Sequence, residues 1–115
     1  MVYVGKYIDR FNDATGQNLP CGDIYQHGLR KHVQKHHPGD EYLVDYVETI
    51  IASPDYIGKH PKEADSIELV KRITDNVMVC IKLDTKNGYL FVASVFKISD
   101  SKLRNRLNSG RLKPY

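Results

Sequence analysis

The chain has 115 residues, 41% of them hydrophobic and 27% charged, a formal net charge of +3, eight tyrosines and no tryptophan. That length suits one domain, residues 1–115, which can bury about two-thirds of its unfolded surface without disulfide or metal staples. The composition excludes a disordered chain, no apolar run approaches the roughly 20 residues of a membrane span, and Cys21 and Cys80 lie too far apart for a CxxC or zinc spacing.

Met-Val-Tyr-Val-Gly-Lys lacks the charged-then-apolar order of a signal peptide, so the expected compartment is the cytoplasm and the expected cysteine state is reduced. Residues 2–8 are β-branched and aromatic and predict a short strand. Asn12, Asp13, Gly16 and Asn18 punctuate a turn, and Asp23–Gln26 predicts a second extended piece that closes a peripheral hairpin. The next stretch, His27–Pro38, gathers four of the five histidines. On a helix Leu29 and Val33 share one face, His36 lies on that same face beside Leu29, and His32 and His37 stand on the shoulders about 140° apart. Imidazoles that flank a buried stripe suit proton transfer near neutral pH better than they suit packing. Pro38 ends the helix, because the residue before proline is biased away from helical geometry.

Asp40 and Glu41 place negative charge at the positive end of a second helix, whose apolar residues Leu43, Tyr46, Val47, Ile50 and Ile51 follow i, i+3, i+4, i+7, i+8 spacing. It stops at Ala52-Ser53-Pro54, and a polar connection from Gly58 to Asp65 carries the fifth histidine, His60. From Ser66 the period becomes two. Ile67, Leu69, Lys71 and Ile73 share one side of a strand, so Lys71 is either a strand-end lysine that snorkels outward or a phosphate-facing one. Val77–Asp84 and Tyr89–Ile98 flank Asn87-Gly88, a hairpin signal. Setting Lys86 opposite Tyr89 pairs Leu83 with Val92, Ile81 with Ser94, Val79 with Phe96 and Val77 with Ile98, which makes Ser94 the polar exception on that face. Ser99 or Asp100 caps a last helix in which Leu103 and Leu107 are four apart and Gly110 is the stop.

The expected fold is therefore α+β: a short N-terminal β-hairpin, two helices, a three- to four-stranded antiparallel sheet and a C-terminal helix. Charge is uneven along it. Residues 39–69 hold eight acids against Lys59 and Lys62, whereas residues 96–115 hold six bases against Asp100 alone. The basic end is either a solvated face or an electrostatic footprint for nucleic acid.

Three stretches together carry a resemblance: Gly28-Leu29 with His32-Val33-Gln34-Lys35-His36-His37-Pro38, then Ile50–Ile57, then Tyr89–Ser94. Over roughly residues 24–113 the chain resembles the phage-borne nuclease-like domains grouped with barnase, EndoU, colicin nucleases and RelE. The resemblance implies two helices followed by a four-stranded antiparallel sheet, metal-independent endoribonuclease or toxin activity, and no cofactor. It implies RNA as substrate, tRNA among the candidates, and for a toxin an acidic inhibitor protein that covers the basic end. His32 and His37 match the family's two helix histidines, His36 falls where a basic residue is usual, and Ser94 falls where a hydroxyl residue is usual.

Metal-free RNA cleavage needs a base for the 2′-hydroxyl proton, an acid for the leaving 5′-oxygen and donors for the charge that develops around phosphorus. The assignment that follows makes His32 the base and His37 the acid, with Ser94 and Lys71 on the phosphoryl oxygens and Lys97, Arg104 and Arg106 along the RNA backbone. His32 with His36, four residues apart, is the alternative pair. That spacing also occurs in HExxH zinc sites, but Val33 stands where the glutamate would be, so no metal site is expected. An RNA-binding or protein-interaction module without catalysis is the competing reading.

Overall fold

The computed structural model describes residues 1–115. In chain order its elements are β1 (Val2–Tyr7), α1 (Asp9–Thr15), β2 (Gly22–Gln26), α2 (Leu29–His36), a 3-10 helix (Glu41–Tyr46), α3 (Val47–Ala52), β3 (Tyr56–Gly58), β4 (Ser66–Arg72), β5 (Asn76–Asp84), β6 (Tyr89–Ile98), α4 (Asp100–Asn108) and β7 (Leu112–Pro114). The fold is α+β, as expected, but all strands join one seven-stranded sheet of order β1-β2-β6-β5-β4-β3-β7. Its single parallel contact, Ile24 beside Leu90 and Tyr25 beside Phe91, attaches the N-terminal pair to the rest. No helix is long and apolar enough to cross a membrane.

Four sequence expectations are corrected. The stretch around Asn12 and Gly16 is not only a turn: Asp9–Thr15 is helical, buries Phe11 and ends at Gly16, whose φ of 73° suits a left-handed cap. The second helix begins as a 3-10 helix, and the tighter turn leaves Tyr46 at 37% exposure while Leu43, Val47, Ile50 and Ile51 are buried. Two three-residue strands, β3 and β7, extend the sheet beyond the predicted three or four strands, because they pair antiparallel with each other and β3 pairs with β4.

The fourth correction concerns the Asn87-Gly88 hairpin. Asp84 accepts from the Lys86 and Asn87 amides through Oδ1 at 3.0 and 2.9 Å, so it organises a four-residue turn and lies opposite Tyr89 itself. Ile81 then pairs with Val92, and beyond Ala93 the register shifts by one, so that Cys80 pairs with Ser94 and Val79 with Val95. This bulge sends the fully buried Val95 into the core and turns Ser94 to the opposite face.

The two faces of the sheet have different covers. Leu29, Val33, Leu43, Val47, Ile50 and Ile51 pack on Ile67, Leu69, Val79, Ile81, Val92 and Val95 in the main core. On the other face Leu103 and Leu107 of α4, with Leu112, cover Val70, Met78 and Ile98. The Ser99 hydroxyl caps α4 by accepting from Lys102 N at 3.1 Å. The β3–β7 pairing has no spare room: a Cβ at Gly58 would lie 1.8 Å from the Arg111 carbonyl oxygen. Gly58→Ala is therefore expected to pry β7 loose at a cost of about 1–3 kcal/mol, read as a lower Tm and lost hydrogen-exchange protection of the β7 amides.

Candidate active site

Helix α4 covers only part of the second face. The remainder is a cleft of about 380 Å³ whose floor includes Ser66, Glu68, Cys80, Lys82, Ser94 and Phe96. Strand β2 pairs with β6 only at Leu90 and Phe91, so α2 takes over the edge of β6 beyond them and brings His32 to the cleft. On the far side of the β6-β5-β4 floor, the β3–β4 connection contributes His60 and Glu63, and Arg106 and Arg111 close the end nearest α4.

The histidine stretch departs from its spacing at the helix end: His36, expected on the face of Leu29 and Val33, is exposed because the helix stops there, and His37 is no longer helical. The rings of His32 and His36 are 4.6 Å apart. His37 leaves helical geometry at φ −139° and ψ 65°, which swings its ring onto Phe96 in a stacked contact with centroids 4.9 Å apart. The unwound last turn thus places His37 against Phe96, itself a residue of the cleft lining. His32, though exposed, is held below the ordinary imidazole pKa, first by partial desolvation against its neighbours and then by positive charge on His36, His37 and Lys35.

The floor carries two groups that lack partners. The Ser94 Oγ is buried and makes no hydrogen bond, a state that costs about 1–3 kcal/mol unless something bonds it. Arg106 is half-buried and donates only to the Met78 sulfur, at 3.2 Å, with no carboxylate partner. Burial and the neighbouring positive charge of Arg111 both pull the Arg106 pKa below the usual guanidinium range. A guanidinium so placed is relieved by a bound anion.

Glu68, 2% exposed, is held by a two-pronged contact: Arg111 Nε donates to Oε1 at 2.8 Å and Nη2 to Oε2 at 2.7 Å. Across the strands Cys80 has its thiol pushed up to about 12, first by burial and then by the Glu68 charge. It is therefore a protonated thiol at neutral pH and a poor nucleophile. Cys21 and Cys80 are both free.

The structure brings His32, Ser94 and Arg106 to one cleft; His36 and His37 do not line it, but their rings lie against His32 and Phe96, which do. It does not bring Lys71 there. Lys71 lies on the helix-covered side of β4, donates to the Ser53 carbonyl at 2.8 Å and stands 3.6 Å from Asp55, so its ammonium ties down the chain after α3. Lys97 is paired with Asp40 at 3.4 Å, and Arg104 is exposed on α4 without lining the cleft. No group of three or more His, Cys, Asp or Glu side chains gathers in a metal-holding arrangement.

Sequence reasoning missed Glu68, Arg111, His60 and Lys82. Glu68 had a signal: a lone acid inside the apolar run Ile67–Val70 needs a buried partner. Arg111 had none, because it reaches Glu68 from the bend between α4 and β7, 43 positions away, where no period marks it.

A family model described as phage-Barnase-EndoU-ColicinE5/D-RelE like nuclease3 matches residues 2–105, which takes in the N-terminal strand pair as well as the stretches that carried the resemblance. No curated protein and no solved structure matches the chain. With nearly its whole length matched and its α+β sheet carrying a cleft of histidine, serine and arginine, the chain belongs to the phage barnase–EndoU–colicin–RelE-like nuclease family.

Proposed function

We propose that the protein is an endoribonuclease that cleaves RNA without a metal ion and leaves a 2′,3′-cyclic phosphate. The observation that carries this reading is the convergence in one cleft of a neutral-leaning imidazole, His32, with an unpartnered hydroxyl, Ser94, and an unpaired guanidinium, Arg106. His32 accepts the 2′-hydroxyl proton and O2′ attacks phosphorus. The bond from phosphorus to the 5′-oxygen breaks, and that oxygen takes a proton from His37. Ser94 and Arg106 donate to the non-bridging oxygens, where negative charge grows in the transition state. Phe96, stacked under His37, fixes the direction from which the acid approaches.

Ion pairs occupy Lys97 and Arg111 of the basic end. Lys102, Arg104 and Lys113 have no acidic partner, and they supply phosphate contacts along RNA, tRNA included. In a toxin the same bases offer a surface to an acidic inhibitor protein.

The test is cleavage of total tRNA and synthetic RNA in excess EDTA, with analysis of the 3′ ends. Fragments that end in cyclic phosphate support the reading. Binding without cleavage of any RNA would leave a nuclease fold used for recognition. A base must be neutral to act, and the depressed pKa keeps His32 neutral to lower pH, so the acid limb of kcat/KM is expected below the ordinary imidazole value of about 6.5. His36→Asn removes one neighbouring positive charge and is expected to move that limb upward; pH–rate profiles of both proteins check this.

A further inference from the structure

His60 faces the cleft from the β3–β4 connection, the side opposite α2 and His32. Its Nδ1 accepts the backbone N–H of Lys62 at 3.0 Å. That bond uses the Nδ1 lone pair, so the ring's proton resides on Nε2, the nitrogen left to meet a ligand. Protonating Nδ1 would set N–H against N–H. The ring is thereby suited to donating a hydrogen bond and unsuited to passing a proton.

The connection that carries it is pinned. Glu63 forms an ion pair with Lys82 on the floor, Ser66 Oγ donates to the Glu63 carbonyl at 3.2 Å, and Gln17 Nε2 donates to the Ser66 carbonyl at 2.8 Å. A donor whose position is set before the ligand arrives stabilises charge without reorganisation. The unsatisfied Ser94 hydroxyl and the unpaired Arg106 line the same cleft, and both are groups that an anion completes.

We propose that His60 is a further catalytic residue: a fixed Nε2–H donor to a non-bridging phosphoryl oxygen, opposite His32. This rests on the nuclease reading and adds to it a residue from an irregular connection, leaving proton transfer to the α2 histidines.

The test pairs a binding measurement with a kinetic one. Imidazole nitrogens of the wild-type protein are followed by 15N NMR during titration with inorganic phosphate, and the titration is repeated on His60→Ala. The expected result is an Nε2–H tautomer at His60, a phosphate-dependent shift of that nitrogen, and phosphate affinity about tenfold weaker in His60→Ala. On RNA, His60→Ala is expected to lower kcat by about 10²–10³, and His60→Gln, whose amide N–H reaches a similar position, to recover most of it. A proton-transfer role would show no such recovery and would overturn the proposal. So would an Nδ1–H tautomer, a His60 resonance that phosphate never shifts, or equal phosphate binding by His60→Ala. If phosphate binds as described and the wild-type protein cuts no RNA, the anion site stands and the nuclease reading falls.

Discussion

His32→Ala is expected to lower kcat/KM for RNA by about 10²–10⁴, the usual worth of a positioned general base, while Kd for the same RNA changes little. The His32 side chain is exposed, belongs to no core cluster and makes no hydrogen bond, so its removal is expected to leave folding intact and the lost rate to report chemistry. The charge proposed to hold the RNA backbone lies elsewhere, on Lys102, Arg104 and Lys113. Single-turnover cleavage and filter binding on the two proteins separate these quantities. A variant with unchanged turnover would remove His32 from the mechanism and shift the base to the His36 position beside it.

The second large effect is on stability. Arg111→Ala strips Glu68 of both guanidinium bonds and leaves a carboxylate at 2% exposure with no partner. Breaking one side of a buried ion pair costs about 3–5 kcal/mol, which for a chain of this size corresponds to a fall of roughly 10–20 °C in Tm. Replacing both partners at once, Glu68→Leu with Arg111→Met, is expected to recover most of that loss, because no buried charge is stranded. Urea titration of the three proteins decides it. A single variant within about 1 kcal/mol of wild type would show that water reaches Glu68 freely.

Periodicity reported what periodicity can report. Leu29 and Val33, then Leu43, Val47, Ile50 and Ile51, are the buried residues of α2 and of the helical stretch after it, and the alternation from Ile67 onward is a strand. What local pattern could not show is set by contacts distant in sequence or by backbone detail. The Asp84 carboxylate, rather than Asn87-Gly88 alone, chose the turn length, and the extra residue at Ala93 reversed the side on which Ser94 lies. Strands β3 and β7 are three residues each and exist because they find each other, more than fifty positions apart. The candidate site divides along the same line. Its histidine wall is contiguous in sequence and was legible, whereas Glu68 meets Arg111 across 43 positions and His60 sits in a connection with no period to read.

That long-range pair also has a consequence for timing. Chains emerge from the ribosome N-terminus first, and His32, His60 and Ser94 are all made before Arg106 and Arg111. A nascent chain stalled after β6 holds the three side chains of the proposed chemistry, yet Glu68 still lacks its guanidinium and α4 does not yet cover Met78 and Ile98. The cleft is finished only after synthesis has passed Leu112 and that stretch has cleared the exit tunnel. If the nuclease acts on RNA as proposed, such an order keeps the blade blunt while it is still attached to the machine, itself largely RNA, that is making it.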